Sequence, residues 1–136
     1  MSSEFWRERA QMIAAGEGFS RHLGTTLIEV EPDRVVVGMP YQEHLGIGRI
    51  HGGAISGLVD IAATAAFWAH PELTESARGA TVGFTINFLS LAVATDLHAI
   101  ASVRRRGGTL CTGDVSIRGA DEVEIATAIV TYKLSR

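Results

Sequence analysis

His51-Gly52-Gly53 and, seven residues further on, Asp60 are the residues whose types and spacing suit chemistry. Residues 54–69 read AISGLVDIAATAAFWA, and Asp60 is the only charged side chain among them. A carboxylate placed in such an apolar run costs several kcal/mol if it is buried and unpaired, so it calls for a functional reason. The glycines stand where a helix would begin, and a helix start offers unsatisfied N–H groups and the positive end of the helix dipole. One short segment thus supplies a donor site for a developing oxyanion and a base. At about 1.5 Å rise per residue, Gly53 and Asp60 lie roughly 10 Å apart on one helix. A carbonyl bound at the helix start is then out of reach of its own Asp60. A second copy of the helix, running antiparallel, would bring the other Asp60 alongside, so the spacing points to a site shared between two copies.

The elements that must position these residues follow from pattern. Residues 3–15 read as a short amphipathic helix, with Ser3 as cap, Glu4 in the first turn and Gly16 at its end. Phe5, Trp6, Met12 and Ile13 would face the body of the protein. Residues 23–30 and 34–40 are β-rich and joined by the turn Glu31-Pro32-Asp33. A loop at 41–50 leads into the apolar helix, which ends near His70-Pro71. Four further strands are expected at 80–91, 95–106, 109–118 and 123–134. Gly107-Gly108 and Gly119-Ala120-Asp121 mark hairpins between the last three. The order helix, two strands, long helix, four strands suits an α+β arrangement, a mostly antiparallel sheet wrapped around one apolar helix. A helix apolar on all sides must be covered on all sides, and a curved sheet plus a partner can do so.

Bulk properties narrow the function. The 136 residues suffice for one domain with its own core, read as 1–136 with an N-terminal helix over 1–16. The net charge of −3 gives no basic excess for a nucleic-acid partner. The run at 54–69 is short for a membrane span and carries Asp60, so no membrane is expected. The N-terminus MSSEFWRERAQ carries charges where a signal peptide would be apolar, and the single cysteine, Cys111, fits a reducing cytoplasm.

Candidate site residues each have a plain alternative. His51 lacks a second ligand at metal spacing, so no metal is expected and a hydrogen-bonding role at the helix start suits it better. Ser56 and Thr64 share a stripe with Asp60 and either meet a substrate or bond back to the helix. Phe84 and Phe88 share one strand face, as core or as pocket wall. Arg104-Arg105-Arg106 ends a strand, and alternation puts Arg105 opposite the other two. That run is either a solvated hairpin end or a docking point for phosphates.

His51-Gly52-Gly53 opening a small-residue helix, Asp60 and the strand TINFLSLA at 85–92 together resemble the hotdog-fold acyl-CoA thioesterases, in particular the phenylacetic-acid-degradation thioesterase-like subfamily. The likeness spans roughly residues 20–134. It implies a hotdog fold, an acyl-CoA substrate, no cofactor, and a homodimer or dimer of dimers with active sites at the subunit interface. In such enzymes the N–H of the residue matching Gly53 polarises the thioester carbonyl, with Gly52 beside it. The acid matching Asp60, from the other protomer, is general base or nucleophile. A Ser or Thr on the next strand holds water, which the resemblance places at Thr81. A basic residue before the following hairpin meets the nucleotide of CoA, which points to Arg105 with Arg106 beside it. The chain departs from the family at one point, with Leu45 where many members carry Asn, and His44 next to it. A hotdog-fold hydratase or dehydratase and a non-catalytic acyl-CoA-binding module are the competing readings.

Overall fold

Helical residues at the N-terminus give way twice before the sheet begins. A computed structural model of the chain describes residues 4–135. It forms α1 (Phe5–Gln11), then one wider π-turn at Met12–Gly16, then α2 (Gly18–Leu23). The expected Ser3 cap lies outside the described residues. Trp6 and Ile13 are buried as expected and Phe5 half-buried, but Met12 is exposed. The helix α2 was not anticipated, and it shortens the first strand, which was expected from residue 23. Its start is fixed by Ser20, whose hydroxyl accepts from the Glu17 N–H and donates to the Glu17 carbonyl. Its end is fixed by Gly24 at φ 77°, a left-handed conformation that glycine takes without strain.

The remaining elements are β1 (Thr26–Glu31), β2 (Arg34–Met39), α3 (Gly52–Trp68), β3 (Arg78–Phe88), β4 (Leu97–Arg106), β5 (Leu110–Gly119) and β6 (Glu124–Ser135). They fall close to the expected positions. The strands make one six-stranded antiparallel sheet in the order β1-β2-β4-β5-β6-β3. Burial alternates along β5, with Cys111, Gly113, Val115 and Ile117 turned inward. With Val35 and Val37 of β2, Ala99 of β4, and Ala128 and Val130 of β6, Cys111, Val115 and Ile117 belong to one core. This is the hotdog arrangement, a curved sheet around a central helix.

Small side chains on α3 let the sheet close on it. Ala62, Ala65 and Ala66 are almost wholly buried beside Leu58, Val59 and Phe67. The residue Gly113 leaves room for the Phe67 ring, which a Cβ there would meet at 3.1 Å. Burial of this kind contributes about 25 cal/mol per Å² of apolar surface. One stripe of the helix is only partly covered by the chain. Gly53 is exposed, and Ser56, Gly57, Asp60 and Thr64 are half-buried.

The two sheet edges differ. At one end, β1 carries Glu29 and Glu31 and an irregularity between Leu27 and Glu29, features that discourage further pairing. At the other, β3 has no charged residue from Gly79 to Phe88. Exposed Val82, Phe84 and Phe88 lie along it.

Candidate active site at the start and middle of α3

The start of α3 is capped by its own N-terminal neighbour. His51 Nδ1 accepts from the Gly53 N–H at 2.8 Å, and the His51 carbonyl accepts from the N–H groups of Ala54 and Ile55. This corrects the expected donor. The N–H of Gly53 is spent on the cap, whereas the Gly52 N–H has no acceptor among the described residues. The histidine thus takes the hydrogen-bonding place at the helix start and directs which amide stays open. Gly52 borders a hollow of about 580 Å³, with Ile47, Arg49, His51, Phe88 and Leu91 around it. A Cβ on Gly52 would lie 3.3 Å from the Phe88 ring, so the glycine lets that ring close over the helix start. Open N–H groups at such a terminus favour negative charge on a bound oxygen.

Asp60 sits eight residues from Gly52, about 12 Å along the helix by its rise. It is half-buried rather than fully buried, and it is paired. The Thr81 hydroxyl donates to Asp60 Oδ1 at 2.8 Å. The backbone of β3 makes this contact possible. Thr81 pairs with Tyr132 and Gly83 with Thr131, so Val82 is an extra residue in the ladder. Without it, strict alternation would place Thr81 on the same face as Gly83 and Thr85. The bulge shifts the phase. Thr81 therefore shares the helix-facing side with Phe84, Ile86 and Phe88, whose partners Val130, Ala128 and Ala126 are buried.

One turn past Asp60, half-buried Thr64 borders a smaller cavity together with Trp68 and Tyr132. The Tyr132 hydroxyl accepts from Trp68 Nε1 at 2.8 Å, and its ring stacks on Phe67 with centroids 5.0 Å apart. Burial, above all, raises the Tyr132 pKa, which keeps its hydroxyl protonated and a donor.

The arginine run divides differently from a simple alternation. A bulge between Val103 and Arg105 breaks the period of two. Arg104 pairs with Asp114 at 2.9 Å on the surface, and Arg105 is exposed. Arg106 turns inward. Its Nε donates to Asp33 Oδ1 at 2.9 Å, and its Nη2 donates to the carbonyls of Phe67 and Ala66 at 2.8 and 3.3 Å. These are last-turn carbonyls of α3, so Arg106 caps that helix and does not carry over as a substrate contact. His44 Nε2 donates to the His22 carbonyl at 3.0 Å, and Leu45 is buried.

Among the described residues no three His, Cys, Asp or Glu side chains gather as metal ligands. No helix among them is long and apolar enough to cross a membrane.

Residues 47–126, which carry the helix start, Asp60 and Thr81, match the thioesterase superfamily. The chain belongs to the thioesterase superfamily. Among solved structures, this superfamily member is similar to a thioesterase family protein from Silicibacter pomeroyi, with 27% identity and a TM-score of 0.86 over 96% of this chain and 98% of that one. The zebrafish thioesterase superfamily member 2 shares 25% identity at a TM-score of 0.79, with 98% of each chain covered. The E. coli PaaI protein of the phenylacetic acid degradation operon shares the fold at 21% identity and a TM-score of 0.84, covering 98% and 95%. Among curated proteins, none matches this chain in sequence.

That the Gly52 N–H, and not the Gly53 N–H, is the one left open was not legible in the sequence. Nothing in the spacing of His51-Gly52-Gly53 tells which amide the cap consumes.

Proposed function

We propose that the chain hydrolyses acyl-CoA thioesters as a homodimer whose active sites each draw on two copies. The observation that carries this is the separation of the open Gly52 N–H from the Thr81-held Asp60 carboxylate. The two stand about 12 Å apart in one chain, too far to act on one carbonyl. An antiparallel pairing of β3 with β3 of a second copy would extend the sheet through its uncharged edge. It would also bring the partly covered stripes of two α3 helices towards each other.

In that assembly the thioester oxygen accepts from the Gly52 N–H of one copy. Asp60 of the other takes a proton from water as general base, or attacks the carbonyl itself as nucleophile. With Asp60 as base, the water oxygen bonds to the carbonyl carbon, the C–S bond breaks, and the proton passes to the thiolate, so acid and free CoA thiol leave. With Asp60 as nucleophile, the C–S bond breaks as the acyl group forms an anhydride with Asp60, the thiolate takes a proton from solvent, and water then hydrolyses the anhydride to acid and free carboxylate. Thr81 spends Oδ1, which leaves Oδ2 for the reaction. Phe88 and Phe84 wall the substrate, Thr64 lies beside it, and Arg105 is the exposed cation for the CoA nucleotide. Asp60 is hydrogen-bonded to a threonine and not to a histidine, which favours hydrolysis over hydration or dehydration of an acyl chain.

Thiol release from a panel of short, long and aryl acyl-CoAs tests this directly. Free CoA is expected from at least one class in multiple turnovers. Binding without any thiol release would make the protein an acyl-CoA-binding module instead.

A further inference from the structure

Asp60, Thr64 and Trp68 follow each other at four-residue spacing along one stripe of α3. Past Asp60 this stripe borders a cavity of about 210 Å³, walled by Thr64, Trp68 and Tyr132 and, from the N-terminal segment, by Arg9, Ile13 and Glu17. Two groups there hold donors with no acceptor among the described residues. The Tyr132 residue is only 3% exposed, and its hydroxyl accepts from Trp68 while its own proton goes unaccepted. A buried hydroxyl that accepts one hydrogen bond still has a proton to donate, so this proton offers a place for a ligand acceptor atom. The Arg9 guanidinium lies 4.9 Å from the Phe5 ring centroid and 4.7 Å from that of Trp68, and it makes no ion pair among the described residues. Two aromatic rings flank the guanidinium, and its N–H groups have no acceptor among the described residues.

We propose that this cavity takes an oxygen acceptor carried by the substrate, with the Arg9 guanidinium and the Tyr132 hydroxyl as its donors and Arg9 as a specificity-determining residue. This rests on the thioester-hydrolase reading above. Glu17 lines the same cavity, so Arg9 and Glu17 offset each other in charge. Recognition therefore comes from directed donors rather than from net charge. Such an acceptor has two sources, the far end of the acyl group or the phosphates of the CoA arm.

The test compares wild type with Arg9→Met on four thioesters: hexanoyl and adipoyl, each on CoA and on N-acetylcysteamine. Adipoyl adds a terminal carboxylate at equal length, and N-acetylcysteamine carries no phosphate. If the acyl end is the ligand, Arg9→Met loses about tenfold or more in kcat/KM on both adipoyl thioesters, mostly through KM, and under twofold on both hexanoyl ones. If the CoA arm is the ligand, the loss falls on both CoA thioesters whatever the acyl group. Arg9→Lys keeps the charge without the planar fork and should lose comparably. It carries the comparison if the Met variant does not fold. Equal changes on all four substrates, or none, overturn the inference while leaving hydrolysis intact. A wild type inactive on all acyl thioesters, the earlier panel included, would instead overturn the hydrolase reading.

Discussion

Asp60→Asn should abolish thioester hydrolysis, lowering kcat by about 10³-fold or more, while the protein folds and assembles as before. A positioned general base contributes about 10²–10⁴-fold, and a nucleophile that is removed leaves no alternative attack. The amide keeps the shape of the carboxylate. Its oxygen can still accept from Thr81, so the contact across to β3 survives. Only the basic charge is lost. Steady-state kinetics on the best substrate, with a melting curve beside it, checks this. Activity within a few-fold of wild type would remove Asp60 from the chemistry.

The second large effect is on stability. Arg106→Met should lower the unfolding free energy by about 3 kcal/mol, in the range measured when hydrogen bonds to charged groups are removed from a largely buried site. The guanidinium ties three elements together. It bonds Asp33 in the β1–β2 turn and the last-turn carbonyls of α3, from its place near the end of β4. Asp33 is itself fixed by backbone bonds to Ala69 and Val103. Methionine keeps the apolar stem of arginine and deletes all of these donors. Urea unfolding measures the loss. Had Arg106 served the CoA nucleotide instead, the same variant would raise KM at unchanged stability.

These two residues show what the sequence could and could not disclose. Asp60 was legible as a candidate because a lone carboxylate in an apolar helix is a compositional anomaly. The direction of Arg106 was not, because one extra residue at a bulge reverses which face a strand residue takes, and bulges leave little trace in residue type. The same limit hid the Val82 bulge, so Thr81 could be named only through family resemblance. Hairpins at Gly107-Gly108 and Gly119-Ala120-Asp121 were legible because glycine and aspartate punctuate turns by conformational preference. The helix α2 was not, since Gly18–Leu23 has only six residues and owes its ends to Ser20 and Gly24 rather than to a periodic face. The identity of the open amide at the helix start depended on which N–H the His51 ring accepts, a rotamer-level detail.

Co-refolding of two inactive variants tests the shared site most directly. One variant carries Asp60→Asn. The other carries Gly52→Leu, whose side chain presses on the Phe88 ring and fills the place proposed for the carbonyl oxygen. Each should be nearly inactive alone. In a mixed dimer one site inherits both defects, and the other is wild type at both positions. Random pairing makes about half the dimers mixed, with two sites in each, so roughly a quarter of wild-type activity should return. If mixed dimers form and no activity returns, Gly52 and Asp60 do not meet across an interface, and the account of the site is wrong.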